Sequence, residues 1–379
     1  MAADWRGWVE AQRILVIGGG IGGLTAAIAL RGRGHSVDVV ERDPDWTVYG
    51  VGIIQQANVV RAMAQLDLLD DYLSAGVGFD AVEVFLPNGH KVARVPSHRL
   101  VEGRPANVGI GRPALHKVLG DRAQASGAVI RLGVTPTQLT QDADGVTVTC
   151  SDGTTARYDL VIGADGAYSQ TRAQLMPDAP TPAFTGQGVW RYNLPRLPDM
   201  DALQVYNGPS GVGLVPMSET MMYMFVTTAE PGNPFYPVDG LAATMRAKLA
   251  GAAPAIRELA EGITDDAAVV YRPLEALLVE GPWHRGRVVL LGDAVHATTP
   301  HLGQGAGMAI EDAIVLANEL DRHDDLEPAL TAYHDRRFDR CAYIVRSSLA
   351  ICHGQIGLGP IIDNAAATKA MFDRVAEPI

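Results

Sequence analysis

Cysteine is scarce: Cys150, Cys341 and Cys352 are the only three in 379 residues, and none forms a CxxC pair. That leaves no disulfide framework and no zinc-type spacing, so a reducing cytoplasm is the expected setting. Positive charge is also in deficit. With 31 Lys and Arg against 43 Asp and Glu the net charge is −12, which argues against a nucleic-acid partner because phosphate rewards clustered cations. No apolar run reaches transmembrane length, and the opening MAADWRGWVEAQR lacks the apolar core of a signal peptide, so no membrane partner is expected. Internal repeats, low-complexity segments and disordered linkers are not seen either.

What is present is a chain that is 47% hydrophobic and 20% charged, the balance of a globular protein, with room for two or three domains or one large α/β body carrying an inserted sheet. RILVIGGGIGGLTAAIALRGRGHSVDVVERD reads as strand, glycine turn, helix, turn and strand. Arg13 to Ile17 is a short apolar run fit for a buried parallel strand, Ile21 to Leu30 has helical apolar spacing, and Val37 to Val40 runs into Glu41. VEVFLPNGHKVARV and GVTVTCSDGTTARYD alternate around Asn-Gly and Asp-Gly, a strong hairpin signal. VGLVPMSETMMYMFVTT predicts another hairpin. DLVIGADG and RVVLLGDA return to the buried type, and the chain from Gln304 onward reads mostly helical. The fold class is α/β: a Rossmann-like nucleotide-binding body with an inserted, mostly antiparallel sheet and C-terminal helices. The body takes residues 1–80, 100–180 and 280–325, the inserted sheet domain 81–99 and 181–279, and the C-terminal helices 326–379.

GGGIGG sets Gly18, Gly20 and Gly23 in GxGxxG spacing between a strand and a helix. The first allows a tight turn, the second lets backbone approach a pyrophosphate, and the third lets helix pack on strand. Glu41 ends the next strand, where a carboxylate reaches ribose hydroxyls. The helix N-terminus offers N–H groups and partial positive charge to the phosphates. This motif alone does not choose between NAD and FAD. No second strand-GxGxxG-helix unit follows, since GPSGVG has the wrong spacing.

DLVIGADGAYSQTR (Asp159 to Arg172) and RVVLLGDAVHATTPHLGQGAGMAIEDA, after GGGIGG and in this order, resemble the three fingerprints of class A, single-component flavin-dependent aromatic monooxygenases with the p-hydroxybenzoate hydroxylase fold. The subgroup resembled is that of salicylate, urate and hydroxynicotinate hydroxylases. GIGRPALHKVL adds a resemblance to the segment whose arginine, here Arg112, lies near the FAD. The resemblance implies non-covalent FAD, NADH or NADPH as co-substrate bound transiently across the surface, and O2. The activity implied is hydroxylation of a small aromatic or heteroaromatic substrate through a C4a-hydroperoxyflavin. The chain stops too early for the extra C-terminal thioredoxin-like domain of other subgroups, and a monomer or homodimer is expected. The cofactor contacts implied are Gly18, Gly20, Ile21, Gly22, Gly23, Glu41 and Arg42 in the first segment, Arg112, and Asp165 and Gly166 in the second. The third contributes Gly292, Asp293, Pro300, Gly303, Gln304, Gly305, Ala306 and Gly307. Asp293 is the ribityl-binding acid by this resemblance, and the helix opened by HLGQGAG points its N-terminus at the flavin.

The flavin supplies the chemistry, which accounts for a polar motif without a serine or cysteine nucleophile. His296 and His301 are read as packing or hydrogen-bonding groups, with no metal site expected. Glu311 and Asp312 are assigned to the first helical turn. GVWRYNL as a strand sets Arg191 and Asn193 on one face, Trp190 and Tyr192 on the other. Arg191 could grip a substrate carboxylate, hydrogen-bond a carbonyl, or form a salt bridge on the outer sheet face. Tyr206, Leu214, Met217, Tyr223 and Phe225 are expected to roof the flavin, with Tyr206 and Tyr223 as candidates to polarise a phenol and Pro300 beside the ring. Met217, Met221, Met222 and Met224 are read as packing. An alkene epoxidase or reductase on the same fold, and a non-catalytic flavoprotein, are the alternatives.

Overall fold

The computed structural model describes residues 11–208 and 210–379; residues 1–10, which hold most of the segment read for a leader, and Pro209 of GPSGVG lie outside the described residues. A six-stranded sheet runs His284–Arg285, Val288–Leu290, Leu160–Gly163, Arg13–Ile17, Ser36–Glu41 and Val129–Leu132. All neighbours are parallel except the edge strand His284–Arg285. The four central strands are buried on both faces, as a parallel sheet covered by helices requires, and so read as continuous Val/Ile/Leu runs. Helices Ile21–Arg31 and Gly305–Arg322 pack on each other and bring the first and third motifs together at the carboxyl ends of these strands.

A seven-stranded sheet follows the order Val270–Ala276, Ala183–Pro195, Met221–Ala229, Gly211–Pro216, Leu203–Tyr206, Ala81–Phe85 and Lys91–Pro96. Only the Leu203–Tyr206 and Ala81–Phe85 pair is parallel. Alternation along the strands sorts the side chains. Trp190, Tyr192, Leu214, Met222 and Met224 face outward into a second core under helices Leu241–Lys248 and Pro254–Ala260. Arg191, Asn193, Tyr223 and Phe225 take the inner face, with Arg191 opposite Phe225 and Asn193 opposite Tyr223. Leu214, expected over the flavin, therefore belongs to the outer core; it sits one pleat out of phase with the inner face.

Two small sheets complete the strand set, one of them built on the expected Asp-Gly hairpin. Thr140 and its neighbours form the three-stranded meander of Pro136–Gln141, Val146–Cys150 and Thr155–Tyr158. Gly52–Gln55, Asn107–Gly111 and Gly76–Phe79 make the other, which carries the chain beneath the large sheet. Helix Leu326–Gln355 then spans the molecule for 30 residues and helix Asn364–Ala376 closes against it. Among the described residues no helix is long and apolar enough to cross a membrane.

Candidate active site

Two cavities meet under the inner face of the large sheet. The first, about 380 Å³, is lined by Gly20, Ile21, Gly22, Arg112, Gly166, Arg191, Tyr223, Gly292, Asp293, Gly303, Gly305 and Ala306. The second, about 580 Å³, runs between the sheet and the C-terminal helices. Ile54, Phe225, Pro300 and Gly303 border both. The 3-10 turn Pro300–Leu302 ends at Gly303, whose φ of 64° is left-handed and suits glycine. Helix Gly305–Arg322 starts immediately beyond, so its unpaired N–H groups open into the first cavity.

The electrostatics of the first cavity are one-sided. Arg112 starts helix Arg112–Ala125, and its Nε is buried without a hydrogen-bond partner. Arg191 has no carboxylate within ion-pair distance among the described residues, so the salt-bridge reading of this side chain falls. Burial, and then Arg112, lower the Arg191 pKa to about 10, which still leaves it charged at neutral pH. Arg272 lies over the Tyr49 ring at 4.3 Å and donates to its hydroxyl at 3.0 Å. Tyr223 is pushed up to about 12 by burial, against the pull of Arg191 and Arg112, and stays a phenol. Asp293 exposes its carboxyl to the cavity itself; burial raises its pKa against the opposing pull of His296 and Arg112.

The second cavity has a different chemistry. Its walls are mainly aliphatic, with Thr227, His301 and Gln355 making a polar corner. His301 contacts Thr299 Oγ1 through Nδ1 at 2.9 Å and Gln355 Oε1 through Nε2 at 3.1 Å. Burial lowers its pKa to about 4, so the imidazole is neutral at pH 7.

A strand-glycine turn-helix unit, a second chain return that supplies Gly166 and a third that supplies Asp293 surround one cavity. The FAD binding domain family matches residues 11–348. The chain belongs to this family. It is 31% identical over 360 residues to the FAD-dependent urate hydroxylase of Klebsiella pneumoniae, covering 91% of each chain. It is 34% identical over 312 residues to 2-heptyl-3-hydroxy-4(1H)-quinolone synthase of Pseudomonas aeruginosa, covering 80% of this chain and 79% of that one. The crystal structure of Klebsiella pneumoniae HpxO with FAD and uric acid matches with a TM-score of 0.81 at 29% identity, over 97% of this chain and 93% of that chain. FAD is the cofactor, and the protein is a flavin-dependent monooxygenase of the p-hydroxybenzoate hydroxylase fold.

The residues present fit FAD. A Cβ on Gly20 would meet nothing within 4 Å, so open space lies where a pyrophosphate approaches the loop. Gly18, at φ 108°, would drive a Cβ to 2.4 Å from the Ala164 carbonyl oxygen, and Gly23 would strike Gly18 O at 2.0 Å; these two serve the packing of the monooxygenase's first turn. Glu41 accepts from Gly19 N at 2.8 Å and Asp43 N at 2.9 Å, which leaves lone pairs for ribose hydroxyls. Arg42, beside it, borders neither cavity.

Several expected contacts have other partners. Asp165 accepts from Ser169 Oγ at 2.5 Å and from Thr171 N and Oγ1 at 3.0 and 2.9 Å. Its carboxylate thus holds the start of helix Gln170–Leu175, and of the pair only Gly166 reaches the cavity wall. Gln304 turns its amide to Gln56 and to Asn58, and Gly307 lies against that same amide, so neither side borders the flavin cavity. Tyr206 stacks on Phe85 at 4.4 Å and donates to Gln204; it borders the second cavity only, on an outward-facing pleat. Glu311 and Asp312 do not serve the first helical turn. They are the seventh and eighth residues of the helix, about two turns in from Gly305, fully buried, and bind Arg337 at 2.7 Å each.

Asp312 also accepts from Gly292 N at 2.9 Å and pairs with His296 Nε2 at 2.6 Å. It therefore fixes the turn that presents Asp293. Burial opposes its charge, yet His296 and Arg337 bring its pKa down to about 2. Burial likewise opposes charge on His296, but Cys341 and Asp312 outweigh it and raise that pKa well above the ordinary value. His296, Asp312 and Cys341 bring donor atoms within 4.8 Å of one another, but Arg337 already supplies the cation there. The sequence reading missed Trp46, whose Nε1 donates to Gly19 O at 2.9 Å beside His116, which contacts the same oxygen at 3.0 Å. A lone tryptophan in a loop gives no signal for that role. It also missed Arg272 and Gln355, which belong to no motif.

Proposed function

We propose that the protein hydroxylates a small aromatic or heteroaromatic ring, with NADH or NADPH as reductant and O2 as oxidant, the ring lying in the 580 Å³ cavity and the flavin in the 380 Å³ one. The observation that carries this reading is the shared border at Pro300 and Gly303, which brings a second, largely aliphatic cavity against the cofactor cavity. Relatives named for urate and for an alkylquinolone, at 31% and 34% identity, support an aromatic or heteroaromatic substrate class.

When bound, FAD supplies hydride acceptance and oxygen activation. The chain's own residues provide the surroundings. Gly20 and the helix N-terminus at Ile21 accept the pyrophosphate, Glu41 the ribose, and Asp293 the ribityl chain. Arg112, Arg191 and the N–H groups at Gly305 hold positive potential against the negative charge that the cofactor acquires on reduction. Tyr223, kept protonated, is a donor on the inner sheet face. The aliphatic walls of the second cavity exclude water. With a reduced pyridine nucleotide and a panel of phenols, purines and quinolones, product should gain one oxygen atom. A product that gained hydrogen instead would favour reduction of an alkene on the same fold.

A further inference from the structure

The two cavities are separated by charge as well as by position. Arg112, Arg191 and Arg272 all open into the flavin-side cavity. The 580 Å³ cavity has no lysine or arginine among its described lining residues. Its one carboxylate, Asp363, is committed to capping helix Asn364–Ala376, accepting from Ala365 N and Ala366 N at 2.9 and 3.2 Å. His301 on the same wall is neutral at pH 7, and burial raises the pKa of Tyr206, which stays a phenol.

The polar corner is a built hydrogen-bonding site. Gln355 Oε1 accepts from Gln187 Nε2 at 2.9 Å and from Thr227 Oγ1 at 3.1 Å, and His301 Nε2 is a third contact at 3.1 Å. These contacts fix the amide, so that Nε2 makes no hydrogen bond within the described protein and stands free as a donor. Gly211 keeps that donor reachable: a Cβ there would stand 3.2 Å from Nε2 and 2.6 Å from Thr227 Oγ1. Away from this corner Val82, Leu203, Val205, Ile351, Ile362 and Met371 form an aliphatic stretch of wall, and the other side chains of polar character there, Gln56, Asn207, Asn364 and Thr368, are uncharged. A carboxylate entering this chamber would lose its water and find no cation, whereas a carbonyl needs only a donor.

Resting on the monooxygenase reading above, we infer that the substrate is an uncharged heteroaromatic carbonyl compound with an apolar substituent, and not an aromatic carboxylate. Its ring carbonyl accepts from Gln355 Nε2 and its apolar substituent lies along the aliphatic walls. The volume, about 580 Å³, is in the range that holds a drug-sized molecule rather than a single small ring. The arginines are left to the cofactor and its reductant.

The test titrates the FAD-loaded enzyme with two matched probes, a 2-alkyl-4(1H)-quinolone and the same ring with a carboxylate at the end of the alkyl chain, and reads the flavin absorption change. The uncharged probe should bind at least about tenfold tighter, the least that an unpaired buried charge costs. Gln355→Leu, checked for retained FAD and an unchanged circular dichroism spectrum, should weaken the uncharged probe by about tenfold. Equal or tighter binding of the carboxylate, no response to the uncharged probe, or full affinity in a folded Gln355→Leu protein would each overturn the inference. Should that variant fail to hold FAD, the wild-type comparison of the two probes decides alone. Oxygen insertion into a hydroxybenzoate in preference to the quinolone would sink this substrate class and leave the monooxygenase reading standing. Failure to insert oxygen into any ring would count against that reading itself.

Discussion

Gly20 is the residue at which packing and cofactor binding separate. Because no atom lies within 4 Å of its Cβ position, Gly20→Val adds its methyl groups to the ligand's space and not to the core. FAD content should fall at least about tenfold while the far-ultraviolet spectrum stays native. Gly23→Val, by contrast, collides with Gly18 O and should unfold the turn. Arg191 is the second informative residue, since it opens into the flavin-side cavity and not the substrate chamber. Arg191→Met should lower the flavin midpoint potential, because it removes positive charge from around the anionic reduced form, and should leave the substrate Kd within about threefold of wild type. A large loss of substrate affinity at unchanged potential would return Arg191 to the role of substrate clamp. His301 gives a pH prediction. Its folded pKa, about 4, lies below the ordinary value, so the unfolded chain binds its proton first and stability is lost as pH falls from about 6.5 toward 4. Across that window Tm should drop less steeply in His301→Gln than in the wild type.

The helices Gly305–Arg322 and Leu326–Gln355 are joined by charges that lie wholly inside the protein. Arg337, from the second, holds both Glu311 and Asp312 of the first, and Arg340 adds a contact to Glu311 at 3.1 Å. Arg337→Met would leave buried carboxylates under-compensated and should cost about 3–5 kcal/mol, measured by denaturant unfolding of the FAD-loaded protein. The damage should reach the site, since Asp312 also holds Gly292 N and so the position of Asp293. A loss below about 1 kcal/mol with unchanged FAD affinity would show that the network neither stabilises the pair nor sets the turn. Glu311 and Asp312 were legible as helical acids but not as an interhelical lock, because their partner lies 25 and 26 residues away in sequence. The first strand-turn-helix unit was legible to the residue at its start: Arg13–Ile17 is the observed strand, and the helix opens at Ile21. Buried parallel strands and glycine turns are local signals. The strands Gly52–Gln55 and Gly76–Phe79 are four residues each and glycine-bearing, and their pairing is decided by the sheet they lie under.

At the scale of the whole molecule, the three motifs announced one cofactor cavity, while the chamber beside it is assembled from distant pieces. Its walls come from the large sheet, the Pro300–Gly303 turn and the two C-terminal helices. No motif links these segments, which explains why Gln355 was invisible in the sequence and Tyr206 was given a place over the flavin. A reductant that docks only transiently, as the sequence leads one to expect, carries a kinetic expectation. A true substrate should speed flavin reduction in stopped flow at saturating NAD(P)H; equal rates with and without it would remove substrate control of reduction. Oxygen insertion by this flavin-dependent monooxygenase can be measured by turnover under oxygen-18 gas with product mass detection. One oxygen-18 atom should enter the ring product for each coupled oxidation of NAD(P)H. An unlabelled product, or one whose new oxygen derives from labelled water, would contradict it.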